Sequence, residues 1–287
     1  MKLIRIGQGI AASMAVLLLV PTDSSAAVFA DSGANAASIT STVEAFRAAL
    51  GEPNNGNALG PVAAGRREIN WDAGIVPVDM PGDFFNVTVP RGAEFSTEAG
   101  SAFKVSNPVD PDDPSFPDNE FNSINPTYPE QFITFSSERL FTPIGTNVLD
   151  VNFFVSGSDV AATTNGFGAV FTDVDLADST TLEFYDVEGN LLGSSFVPAA
   201  SEGLSFYGET FDEENLFSVR IISGNTPIGP DDDPDNGVDV VVMDNFIYGE
   251  PQAVPEPSVV VGMMAIGALA HQMKRRRDQA TKNAVLG

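Results

Sequence analysis

Residues 181–197, TLEFYDVEGNLLGSSFV, decide the fold class. Leu182 and Phe184 alternate with Glu183 and Tyr185, the period of two that gives a strand one buried and one wet face. Glu188-Gly189-Asn190 then reads as a hairpin turn, because Gly and Asn tolerate the left-handed backbone that such turns use. Residues 191–197 return as the second strand. A lone hairpin is marginal in water, so this one predicts further antiparallel strands to pack with.

The same alternation recurs at Phe217, Val219 and Ile221 against Ser218 and Arg220. Short strands separated by turn residues are expected at 67–71, 84–89, 102–105, 131–135, 148–155, 168–171, 204–207 and 238–248. No fixed-period repeat argues for a propeller or a solenoid. With 21 Phe to fill a core, the expectation is a mainly β protein: an antiparallel β-sandwich of jelly-roll type spanning residues 66–251. Before it, residues 27–65 read as a flexible leader of small residues, one short helix at 42–50 and a loop. Ser41 and Glu44 have capping-box spacing, Val43, Phe46 and Leu50 share a face, and Gly51 then Pro53 stop the helix.

Both ends carry signals of another kind. Lys2 and Arg5 precede an apolar run at 10–20, and Ser24-Ser25-Ala26 offers small residues for cleavage after Ala26 or Ala27. Residues 1–26 therefore read as a signal peptide; the run is shorter than the roughly 20 residues a spanning helix needs. At the other end, residues 252–256 read as a linker. Val254-Pro255-Glu256-Pro257-Ser258 opens an apolar run at 259–270 that stops at Lys274-Arg275-Arg276-Arg277. Residues 252–287 resemble the PEP-CTERM sorting tail of bacterial surface proteins. That resemblance implies a hydrophobic membrane anchor and processing near Pro255-Glu256-Pro257 by an exosortase, a membrane cysteine peptidase-transpeptidase, followed by passage to the cell envelope, surface or extracellular matrix. GRREINWD, RLFTPIG, GFGAVFTDVD and VVVMDNFIYGEP resemble a recurrent ectodomain of the same proteins, and that likeness implies no activity.

Composition excludes more than it assigns. The net charge is −25, and half of the 14 Lys and Arg lie in the two terminal segments, so the middle of the chain is more acidic still. That excludes nucleic acid, whose binding needs cations against phosphates. There is no Cys, and the only His is His271 in the tail. Thiol nucleophiles, disulfides, imidazole-assisted catalysis and His zinc sites are thereby excluded from the ectodomain.

Carboxylates are what remain. Asp231, Asp233 and Asp235 alternate in the Asp/Pro loop 230–239, followed by Asp239, while Asp173 and Asp175 alternate after an apolar run. Calcium takes six to eight oxygens, so these groups are candidate calcium ligands against the alternative of a solvated acidic loop. A second Asp/Pro-rich loop is expected at 108–120. Asp244 is expected on one face with Val240, Val242 and Phe246, where backbone amides, Arg220 or calcium would neutralise it. Some carbohydrate-binding jelly rolls resemble this in using an Asp near the last strand for calcium. Trp71, among Arg66, Arg67, Glu68, Asn70 and Asp72, is either a glycan-stacking face or a core residue. The expectation is an exported, non-catalytic surface protein. Its alternatives are a calcium-dependent module binding extracellular polysaccharide and a carboxylate-pair polysaccharide hydrolase, which needs two carboxylates at a fixed separation.

Overall fold

The computed structural model describes residues 26–98, 102–107 and 120–254. The residues read as signal peptide before Ala26, the sorting motif, the apolar run, the basic stop and most of the loop 108–120 lie outside them. In chain order the strands and helices are β1 (Ala26–Gly33), α1 (Ala36–Leu50), β2 (Arg66–Ile69), β3 (Asp79–Met80), β4 (Ala93–Ser96), β5 (Phe103–Val105), α2 (Tyr128–Gln131), β6 (Phe141–Pro143), β7 (Val148–Phe153) and β8 (Ala162–Thr163). They continue with β9 (Gly166–Val174), β10 (Thr181–Tyr185), β11 (Leu191–Phe196), β12 (Ala200–Phe211), β13 (Ser218–Ile222), β14 (Val242–Gly249) and β15 (Gln252–Ala253). The protein is mainly β and every ladder between these strands is antiparallel, as the alternation predicts.

Five strands in the order β11-β10-β13-β7-β4 form one sheet, and the opening hairpin is its edge. Leu182 and Phe184, Val219 and Ile221, and Leu149, Val151 and Phe153 point inward, with polar side chains between them. Asp186 accepts bonds from the Asn190 backbone and side-chain nitrogens, both at 2.8 Å, and Gly189 takes φ +82° at the turn.

The larger, eight-stranded sheet runs β1-β12-β9-β14-β6-β5-β3, with β2 also paired to β14. Phe167, Ala169, Phe171 and Phe246 on one face join Phe95, Val151, Phe184 and Ile221 of the smaller sheet in one core. On the other face, Val170, Leu204, Phe206 and Ile247 meet Ile39, Val43, Phe46 and Leu50 of α1. A third cluster joins Tyr128 and Phe132 to Val240 and Val242. Because both faces are covered, every residue of β9 and β14 is buried. Such strands read as continuous apolar runs rather than as alternation.

Five expectations are corrected. The small-residue leader is strand β1, paired along its whole length with β12, and it is joined by α1 into the same body as the sheets. The helix begins at Ala36, so Ser41 sits inside it and caps nothing; Ile39 extends the apolar stripe by one turn. Within the expected strand 84–89, Phe84–Thr88 form a wide helical turn, closed by the Val89 amide donating to the Phe84 carbonyl at 2.8 Å. Residues 131–135 begin in α2, where Pro129 in the first turn suits a helix start and Tyr128 stacks on Phe132 at 4.4 Å. Gln252 and Ala253, read as linker, pair with β8.

Candidate metal centre

Asp173 lies near the end of β9 where the ladder to β12 breaks. Ala200 pairs with Val174 and Leu204 with Thr172, so residues 201–203 face Asp173 alone. Asp173 and Glu202 both take positive φ, +65° and +50°, which is costly for residues with a Cβ and is held by the surrounding structure. The Glu202 amide donates to Asp173 Oδ1 at 2.7 Å. Asp173 Oδ2 is buried without a hydrogen-bond partner among the described residues, and so is Asp175 Oδ1.

Asp232 completes the group: single carboxylate oxygens of Asp173, Asp175 and Asp232 lie within 4.8 Å of one another and could hold a metal ion. Asp232 is fixed by the Val240 amide at 3.1 Å and by Gln131 Nε2 at 3.4 Å. Tyr128 Oη donates to the Gly229 carbonyl at 2.6 Å, so α2 also clamps the approach to the acidic loop. Burial, with the nearby carboxylates adding to it, pushes Asp173 up to about 8. Burial likewise raises Asp232 to about 6, with Asp175 and Asp239 contributing. Three crowded carboxylates are relieved by a proton or by a cation, and partly buried oxygen-only ligands suit a hard divalent ion.

No family model, curated protein or solved structure matches this chain. The chemistry of its sites therefore has to be read from the residues themselves.

The structure gathers Asp173 and Asp175, as the spacing proposed, and adds Asp232, which the alternating reading of the loop skipped. Asp231 and Asp235 are exposed. Asp233 caps the turn Pro234–Asn236, accepting from Asn236 N at 3.3 Å and Nδ2 at 2.6 Å. That turn changes the phase of the loop, so Asp232 rather than its neighbours faces inward. Asp239 is buried and already committed: its carboxylate accepts the Asp175 and Leu176 amides at 3.3 and 3.2 Å and the Ser179 hydroxyl. It holds the turn that carries Asp175.

Asp244 is corrected as a metal ligand. Met243 pairs with Phe171 and Phe246 with Ala169, so Asp244 and Asn245 together oppose one residue, Val170. This bulge breaks the regular alternation and turns Asp244 away from the face of Phe246. Its carboxylate accepts the Phe135 and Ser136 amides at 2.6 and 3.1 Å, the backbone option among those considered, and burial pushes it up to about 8. Arg220 instead pairs with Asp150 at 2.8 Å. Trp71 is corrected as a glycan platform: it is 1% exposed, stacks on Phe141 at 4.1 Å and donates Nε1–H to the Asp244 carbonyl at 2.7 Å.

Proposed function

We propose that this chain is an exported, non-catalytic protein of the cell surface or extracellular matrix, with a jelly-roll-like β-sandwich ectodomain that binds calcium through Asp173, Asp175 and Asp232. One observation carries the calcium reading: Asp173 Oδ2 and Asp175 Oδ1 are buried beside a third carboxylate, with no hydrogen-bond partner among the described residues. An ion there takes the place of a proton on Asp173, and it joins the end of β9 to the acidic loop that leads into β14. Carbonyl and water oxygens would complete the six to eight that calcium takes. The role is structural contact after delivery, in keeping with a chain whose ectodomain has neither Cys nor His.

Delivery rests on the terminal segments: export by residues 1–26, retention by the apolar run 259–270 and its basic stop, and exosortase processing near Pro255-Glu256-Pro257. Intact mass measurement of the protein from its host, fraction by fraction, tests this part. A product ending near Pro257 and found outside the cytoplasm supports it; a full-length tail still in the membrane rejects it. For the calcium reading, the melting temperature should rise with added calcium after chelation, because a ligand of the native state stabilises by mass action. An identical melt in chelator and in calcium rejects that reading.

A further inference from the structure

The bulge that withdraws Asp244 has a second effect, on Asn245. This side chain is 3% exposed, and its Oδ1 accepts the Ser136 hydroxyl at 2.6 Å. Its Nδ2 makes no hydrogen bond among the described residues, and Asn245 forms part of the wall of a polar cleft of about 400 Å³. That amide nitrogen is a donor which the cleft can offer to a ligand. The volume falls in the ~300–1,000 Å³ range of small-molecule sites.

Strand β2 supplies another wall. Trp71 turns into the core, whereas Glu68 and Asn70 face the cleft together with Arg47 of α1. Both Glu68 oxygens are taken: Oε1 by Arg66 Nε at 2.8 Å and Oε2 by Arg47 Nη2 at 2.7 Å. Arg91 differs from these two cations. Its Nε binds Asn57 Oδ1 at 2.9 Å and its Nη1 binds the Glu68 carbonyl, but no carboxylate pairs with it among the described residues. Asn70 is exposed and its side chain makes no hydrogen bond among the described residues, and half-buried Phe135 adds one apolar surface. In a chain of net charge −25, the cleft is a local concentration of unspent cation and amide donors.

We propose that this cleft binds a carboxylated sugar ring, a hexuronate. Its carboxylate pairs with Arg91 through Nη2, the nitrogen that the bonds to Asn57 and Glu68 leave open, in a charge-assisted contact. Its hydroxyls, each both donor and acceptor, meet the Asn70 amide, which is also both, and accept from Asn245 Nδ2, whose Oδ1 is held by Ser136. An inorganic oxyanion would use the donors and leave the Asn70 amide oxygen and the Phe135 ring without a role. The cleft shares no residue with the Asp173 group, so this inference stands apart from the calcium reading.

The test is a ligand-observed NMR titration of the full chain with glucuronate, glucose and inorganic phosphate. Glucuronate should saturate, and glucose and phosphate should each bind at least about tenfold more weakly. Arg91→Gln should weaken glucuronate about tenfold. Asn70→Ala, at an exposed and unbonded position that leaves the fold intact, should weaken it several-fold. The proposal is overturned if glucuronate does not saturate, if phosphate or glucose binds as tightly, or if Asn70→Ala binds like the native chain. Should Arg91→Gln fail to fold, the Asn70 variant and the ligand series still decide.

Discussion

Arg67 and Glu250 close a two-armed ion pair inside the protein, with Nε–Oε2 and Nη2–Oε1 both at 2.7 Å and side chains only 0% and 2% exposed. The pair joins β2 to the residue just after β14. Glu250 also accepts Asn55 Nδ2 at 2.8 Å and the Val62 amide at 3.3 Å, while Arg67 Nη1 donates to the Gly56 and Pro90 carbonyls. A saturated buried pair adds little net stability over apolar packing, but losing one partner strands a charge. Glu250→Ala should therefore lower the unfolding free energy by about 3–5 kcal/mol in urea. The Arg67→Met, Glu250→Leu double variant should recover much of it. A single variant within about 1 kcal/mol of native would show that the guanidinium is solvated after all.

Gly168 and Gly208 face each other across β9 and β12, and the Phe46 ring of α1 rests on both. A Cβ at either would lie 2.9 Å from that ring. Neither glycine is needed for its backbone conformation, so the effect is one of space. Gly208→Ala should destabilise by about 1–3 kcal/mol through overpacking. Adding Phe46→Leu should restore part of that loss if the helix seat is the cause. Equal urea midpoints for native and Gly208→Ala would mean that α1 can shift without cost.

Trp71 is central to the core, with Phe141 stacked on it and Phe85 and Phe246 meeting it edge-on at 5.5 and 5.2 Å. Trp71→Ala should cost about 3–5 kcal/mol, as large-to-small core changes do. Binding of sugars by the fraction that remains folded should be unchanged, since no face of the ring reaches solvent. Selective loss of sugar binding at unchanged stability would restore Trp71 as a stacking platform.

These residues also show what could be read from the chain alone. Where one face is wet, as in β10 and β13, the period of two is written in the side chains and the strands were legible. In β9 and β14 burial on both faces erases the period, and only apolar runs remain. Strand β1 gave no signal because Ala, Ser and Gly carry little hydrophobic contrast; its order comes from pairing with β12. The bulge at Asp244 and Asn245 put Phe246 on the opposite face from Val240 and Val242, which left Asp244 among backbone amides and Asn245 in the cleft. The half-turn at Pro234–Asn236 likewise exchanged the roles of Asp232 and its neighbours. Tertiary pairing creates these shifts of phase, and composition does not encode them visibly.

The acidic group gives a pH dependence with a definite sign. Folding raises Asp173 from 3.8 to about 8 and Asp232 from 3.8 to about 6. The native state thus holds protons that the unfolded state has lost, so this stability is complete below about pH 4 and declines as pH rises through 6 and 8. Melting temperatures in chelator should fall across that window. Calcium should flatten the fall by replacing the proton, and its binding should release protons at neutral pH. Asp232→Asn should abolish the calcium response. Asp244, also raised to about 8, leaves a residual slope that calcium does not touch. A chelated protein that gains stability from pH 5 to 8 would contradict the assignment.

The sorting reading places its weight on two prolines. Pro255 and Pro257 restrict the backbone on either side of Glu256, because each ring fixes φ near −65° and disfavours helix at the preceding residue. Replacing both prolines by Ala removes these restrictions and should leave the tail uncleaved. The ectodomain's melting temperature should not change, since its last strand ends before them. Intact mass separates the two cases directly: retention of Lys274 to Arg277 on the double variant, with loss of the same residues from the native chain, is the expected result. Equal processing of both chains would mean that the Pro-Glu-Pro sequence is not what is recognised.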